Sequence, residues 1–164
     1  MADKGQAKDR AVRPLHPDDL DRVVAIDKAL TGQSRRRFYE RRLQSAQRHP
    51  EDFVYVGVTE GETLVGFAFA HIQYGEFGRD EAIAQLDVIG VDPQSQGSGV
   101  GRRLCGALID IMQKKKVRSV QTQASWRAHR LLAFFDYAGF SLAPRTVLER
   151  PVNQPFDEAA EAVV

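Results

Sequence analysis

The sequence predicts one α/β domain, a mixed sheet with helices on both faces. Three observations predict it. The apolar spacing changes along the chain in the order strand, two helices, three strands, helix, strand, helix, strand. A glycine-rich loop joins one of those strands directly to a helix. Neither a repeat nor a linker divides the 164 residues, and a hydrophobic content of 43% suits a single core.

Each element follows from local chemistry. Residues 1–10 are polar and are expected to be disordered, so the domain proper is read as 11–150. Ala11 to Leu15 reads as a short strand. Pro17, Asp18 and Asp19 open a helix, because proline fits a first turn and carboxylates favour the positive end of the dipole. Leu20, Val23, Ile26 and Leu30 keep helical spacing until Thr31-Gly32. A second helix runs from Ser34 to about Arg48, with Tyr39, Leu43 and Ala46 on one side, and Pro50 ends it. Phe53 to Val58 is apolar on both faces, as a buried strand is. Glu60-Gly61 turns the chain into Leu64 to Ile72, which completes a hairpin. A charged connection from Glu76 to Glu81 leads to the strand Ile83 to Val91. Beyond the glycine loop, Val100, Leu104, Leu108 and Ile111 mark a helix to Lys115. Ser119 to Ala124 is a strand, His129 to Ala138 a helix stopped by Gly139, and Thr146 to Glu149 a last strand. Residues 151–164 form an acidic tail expected to be flexible.

Bulk properties exclude several classes. A formal net charge of +1 argues against a nucleic-acid binder. No run approaches the roughly 18 apolar residues of a membrane span, and the polar start has no signal-peptide pattern, so a cytoplasmic protein without membrane partners is expected. The single cysteine, Cys105, sits in an apolar helical stretch and reads as a buried core thiol. No metal is expected, because no cysteine or histidine ligand motif is present. Oligomeric state is not readable.

The stretch from Val91 to Leu104 carries the most chemistry. Glycines at 97, 99 and 101 lie between a strand and a helix, which makes an anion cradle. Backbone N–H groups at a helix start lack internal partners, and the dipole adds positive charge. Glycine lets the chain turn and a phosphate approach. A P-loop needs lysine and Ser/Thr after its last glycine, whereas Arg102-Arg103 follow here; the spacing G-x-G-x-G also fails the dinucleotide fingerprint.

Gln96, Gly99 and Gly101 fill the pattern Gln/Arg-x-x-Gly-x-Gly/Ala, and His129 to Phe140, with Phe134-Phe135 and Gly139-Phe140, follows the form of a late helix usually written with Phe-Tyr and Gly-Phe. In these motifs and in its element order the chain resembles the GNAT N-acetyltransferases over about Val12 to Glu149. The resemblance implies the GNAT acyl-CoA N-acyltransferase fold, with a mostly antiparallel twisted sheet splayed at the acetyl-CoA strand. It implies acetyl-CoA as co-substrate. A bulge through Ile89-Gly90-Val91, splayed from the strand around Gln121, would free backbone groups for the pantetheine arm. Gln96, Gly97, Ser98, Gly99, Val100, Gly101 and Arg102 would hold the pyrophosphate. Arg102, Arg103 or Arg130 would reach the 3′-phosphate, or would be solvated surface charge.

Amine acetylation needs a neutral amine, a hydrogen bond to the thioester oxygen and a proton for the leaving thiolate. Period two puts Gln85, Asp87 and Ile89 on one strand face. Because the family often takes its base from an acid on this strand, Asp87 is the leading candidate; its alternative is a structural aspartate. Glu76, Glu81 and His71 are further candidates. The N–H near Val91 would serve the carbonyl, as the resemblance implies. At the family's tyrosine acid this chain has Phe135. Tyr137 lies about 200° around the helix and does not substitute. Tyr74, Ser125, His129 or water would then donate.

The first two helices wall the acceptor site in this family. Here they carry Arg35, Arg36, Arg37, Arg41 and Arg42, which suit a carboxylate or an acidic protein. Glu76, Asp80 and Glu81 suit a cationic amine or a protein lysine. The acceptor is therefore a protein lysine or N-terminus, or a small amine. Phe135 keeps open a second class, a non-catalytic acyl-CoA-binding module.

Overall fold

The computed structural model describes residues 9–75 and 78–153. Five strands form one sheet in chain order: β1 (Arg10–Pro14), β2 (Phe53–Glu60), β3 (Thr63–Gln73), β4 (Ile83–Val91) and β5 (Ser119–Thr122). The pairs β1–β2, β2–β3 and β3–β4 are antiparallel, and β4–β5 is parallel. Four helices cover the sheet: α1 (Leu20–Thr31), α2 (Arg36–Arg48), α3 (Val100–Lys114) and α4 (His129–Tyr137). A 3-10 turn over Pro17–Asp19 leads into α1, and Gly32, at φ 75°, closes it by donating to the Lys28 carbonyl at 2.8 Å.

Two apolar layers result. Val23, Ile26, Tyr39 and Leu43 from α1 and α2 pack on Phe67 and Phe69. On the other face Val100, Leu104, Leu108 and Met112 from α3, with Phe135 from α4, pack on Val56, Ala68 and Leu86. Cys105 is buried there, and burial raises its thiol pKa, as a core cysteine requires. No helix among the described residues is long and apolar enough to cross a membrane.

Several expectations change. β1 begins at Arg10, because Arg10 pairs with Glu60 both in the ladder and through its side chain; residues 1–8 lie outside the described residues. The strand expected over Thr146–Glu149 does not form. That stretch joins no ladder, and Val147 and Leu148 are 67% and 90% exposed. β-prone residues make a strand only where a neighbouring strand pairs with them. The acidic tail is described only as far as Asn153.

The bulge in β4 lies at Asp87, not at Ile89–Val91. Phe69 of β3 opposes Val88, but the next residue, Ala70, opposes Leu86, so Asp87 is the extra residue. Ile89 and Val91 pair regularly with Ala68 and Gly66. The insertion reverses the strand's parity. Ala84 and Leu86 before it, and Ile89 and Val91 after it, face the α3 layer, whereas Val88 faces the α1–α2 layer. Asp87 and Ile89 therefore point to opposite faces, against the period-two expectation. The splay lies where expected: the β4–β5 ladder runs from Ile83–Ser119 through Gln85–Gln121 and stops at Leu86–Thr122.

Candidate active site

The cradle is built by the backbone. Gly97 and Gly99 have φ of 73° and 88°, in the left-handed region open to glycine. A Cβ at either would meet nothing within 4 Å, so conformation, not crowding, requires glycine, and the space beside the loop is open. Gly99 caps α3, and the Arg103 N–H is the one that bonds back to its carbonyl, at 3.1 Å. The N–H groups of Val100, Gly101 and Arg102 precede that bond and have no helical acceptor. A Cβ at Gly101 would lie 3.0 Å from the Phe134 ring, so this glycine sets the approach of α3 to α4.

Two arginines that the sequence reading passed over brace this loop. Arg10 contacts the Ser98 carbonyl and bonds Ser98 Oγ at 2.9 Å while paired to Glu60. Arg22 donates Nε to the Leu64 carbonyl at 2.9 Å and pairs with Asp92. Asp92 in turn caps the turn Pro93–Ser95 by accepting the Gln94 N–H at 2.9 Å. Gln96 Nε2 donates to the Val91 carbonyl at 3.3 Å. Arg102 lies beside Tyr137, its guanidinium 5.9 Å from the ring, and Arg130 is exposed in the first turn of α4.

Where β5 ends, a cleft of about 220 Å³ opens. Asp87 and Ile89 line it from β4, Thr122 from β5 and Phe135 from α4. Asp27 and Arg35 close the α1–α2 side. Thr122 Oγ1 bonds the Leu86 carbonyl at 3.0 Å and so finishes the ladder. One residue earlier, Gln121 Nε2 is buried with no hydrogen-bond partner among the described residues.

Asp87 Oδ2 lies 2.9 Å from His71 Nδ1 and 3.4 Å from Arg42 Nη2. The carboxylate is thus held by two donors, from β3 and α2. Asp27, only 2% exposed, is gripped through both oxygens by Arg35, with Nε to Oδ2 at 2.9 Å. That grip holds the Arg35 pKa well above its usual value. Burial, and then Asp27, push the Tyr39 phenol far above the usual tyrosine range. The signal for Asp27 was in the sequence: it stands four residues after Val23 and three before Leu30, a charge on the apolar stripe of α1.

The other expected residues divide. Gln96 to Arg102 form the loop of the cradle, and Asp87 and Ile89 both line the cleft. Val91, at the start of the loop, packs on the α3 layer. Glu81 pairs with Arg118 beside Ser119, at the closed end of the β4–β5 pair and away from the splay. Glu76 lies outside the described residues. Tyr74 is 63% exposed. Phe135 faces the cleft, as its motif position implied, whereas Tyr137 is 74% exposed beside Arg102. Folding does bring His49, Glu51 and Asp52 within 4.8 Å of one another after α2, an arrangement common for exposed acids without an ion.

A glycine cradle opening α3, a strand parting from its parallel neighbour and a cleft between them match a known family. The acetyltransferase (GNAT) family model covers residues 20–140. The chain belongs to the GNAT acetyltransferase family. It is 30% identical over 141 residues to a mycothiol acetyltransferase of Propionibacterium freudenreichii subsp. shermanii, covering 83% of this chain and 44% of that protein. It is 40% identical over 73 residues to the N-alpha-acetyltransferase RimI of Mycobacterium tuberculosis, covering 44% of this chain and 40% of that one. The chain thus spans less than half the length of these relatives. Among solved structures, the aminoglycoside N-acetyltransferase AAC(6')-Iy in complex with CoA aligns with a TM-score of 0.73 at 17% identity, over 90% of this chain and 98% of that one. At that identity the likeness shows the fold alone.

Proposed function

We propose that this GNAT chain transfers an acetyl group from acetyl-CoA to a primary amine by direct attack in a ternary complex. The observation that carries the reading is the left-handed glycine cradle at Gly97 and Gly99, set where β4 loses its β5 neighbour. The N–H groups of Val100, Gly101 and Arg102 suit a pyrophosphate. The β4 edge beyond Leu86 offers peptide groups to an extended amide-bearing arm, and the unpartnered Gln121 amide gives one more donor. Arg102 and Arg130, both exposed, are the candidates for a further phosphate. When bound, acetyl-CoA supplies an activated acyl carbon. The amine nitrogen bonds that carbon as the carbon–sulfur bond breaks, the amine gives up one proton, and the sulfur leaves as CoA thiol after taking one.

The chain's own part is proton handling and positioning. Asp87 lines the cleft with His71 and Arg42 attached, so an amine proton passes to this cluster directly or through water. The similarity to the mycothiol enzyme favours a small-molecule amine, and that to RimI a protein N-terminus. A binding module remains the second reading, because Phe135 brings no hydroxyl to the cleft.

Calorimetry with CoA, paired with thiol release across amino sugars and peptides, tests the proposal. Binding and release are expected, and Gly99→Glu is expected to abolish both, since a left-handed site would take a side chain and a negative charge at once. A folded Gly99→Glu protein with unchanged CoA affinity would place the nucleotide elsewhere. Binding without release for any amine would favour the module.

A further inference from the structure

The arginines of α2 are not alike. Arg35 is spent on Asp27, Arg36 on Asp21 and Glu40, and Arg42 on Asp87. Arg37 and Arg41 are exposed and have no carboxylate within ion-pair distance among the described residues. They stand four residues apart, so their side chains rise on the same helix face and repel. With Phe38, Arg42 and Ser45 they line a groove of about 470 Å³. Phe38 is a firm wall, because the Arg42 guanidinium sits 5.3 Å from its ring.

Arg42 links the groove to the cleft, since it lines the groove and holds Asp87, which lines the cleft, at 3.4 Å. A molecule that meets Asp87 on its Arg42 side therefore has the groove beside it. The groove is positive, with three arginines and no acid in its lining. Asp27 is matched by Arg35, and Asp87 by Arg42 and His71, so neither acid lining the cleft is left to draw a cation. Glu81, an acid suited in the sequence to drawing a cation, is turned to Arg118 at the closed end of the β4–β5 pair. A positive surface repels polycationic acceptors and concentrates anionic ones.

We infer that the acceptor is an amine bearing an oxyanion, carboxylate or phosphate, seated on Arg37 and Arg41 while its amine enters the cleft. The inference rests on the acetyl-transfer reading above and narrows its substrate class. Two guanidinium groups on one helix face recognise a carboxylate or a phosphate through charge-assisted hydrogen bonds.

The test measures kcat/KM for CoA release with short peptides of free N-terminus followed by two aspartates, two alanines or two lysines. An amino sugar with and without a phosphate forms a second series. An oxyanion-bearing member is expected to exceed its neutral counterpart by about tenfold or more, a gap of roughly 1.4 kcal/mol. The series in which the gap appears identifies carboxylate or phosphate. In an Arg37→Glu, Arg41→Glu double variant the gap should vanish, and CoA affinity should stay within about twofold. Calorimetric binding of the N-acetylated acidic peptide or sugar phosphate, expected in the wild type and lost in the variant, checks the site without turnover. Equal rates across charges, or a preference that survives the double variant, would overturn this inference alone. CoA binding with no release from any amine would overturn the acetyl-transfer reading and this inference with it.

Discussion

Asp87 owes its place to one extra residue in β4. Without the bulge, parity would put Asp87 and Ile89 together; with it, Asp87 turns to the α2 side and meets Arg42 and His71. Asp87→Asn keeps the shape, loses the charge and cannot accept a proton. Turnover should fall about 100-fold, the usual scale for a lost acid–base group, with CoA affinity within about twofold. Near-normal turnover would make Asp87 structural and leave His71 as the candidate in the cluster. Phe135 invites the opposite change. It is 5% exposed, lines the cleft and stacks with Phe134 and Phe140. In Phe135→Tyr the ring keeps its packing, and a phenol joins the cleft lining. Steady-state rates should be unchanged or higher. Strong inhibition in a folded protein would mean that the ring faces away from the thioester.

At the scale of elements, the cradle depends on the sheet. The loop from Asp92 to Gly99 is fastened to β1 through Arg10 and to α1 through Arg22. Arg10 meets both Glu60 and Ser98, so β1 and the loop share one cation. Arg10→Ala removes the brace but no group proposed to touch the nucleotide. A supporting contact acts by holding its neighbour in place. CoA affinity is expected to drop about three- to tenfold, and the thermal midpoint to fall with it, because the lost pair is largely buried, its side chains 13% and 15% exposed. Unchanged affinity by calorimetry would show that the glycines hold the loop unaided. The parting of β4 from β5 follows from length: β5 has four residues against nine in β4, so the second half of β4 has no neighbour on that side.

For the whole molecule, three buried groups fix the response to alkali. Burial raises the pKa of Tyr39, Tyr55 and Cys105 in the folded protein. Above the unfolded values, about 8.5 for the thiol and 10 for the phenols, the folded chain holds more protons than the unfolded chain. Unfolding free energy then decreases with pH. The urea midpoint should be flat from about pH 6 to 8 and fall steadily from about pH 9 to 11. A midpoint that rises over this range would contradict the burial of these groups. The two apolar layers, one on each sheet face, supply the stability that this ionisation erodes.

The sequence by itself determined the α/β order, the hairpin, the helix α3 starting at Val100 and the glycine cradle before it. Those features are local: apolar period, proline and glycine act within a few residues of where they stand. Resemblance in the same motifs named the family that the comparison then showed. What only the tertiary structure decided was every feature that depends on a partner distant in the chain. Thr146–Glu149 has a strand-like composition but joins no ladder. The bulge is a mismatch between two strands, so neither strand's own pattern could place it. Asp27 reads as one charge on an apolar stripe until Arg35 is seen to grip it. Arg10, 88 residues from Ser98, reads as the end of a polar tail until the sheet carries it to the loop. Ion pairing depends on a few ångströms of approach between side chains, and that distance is set by packing, not by spacing along the chain.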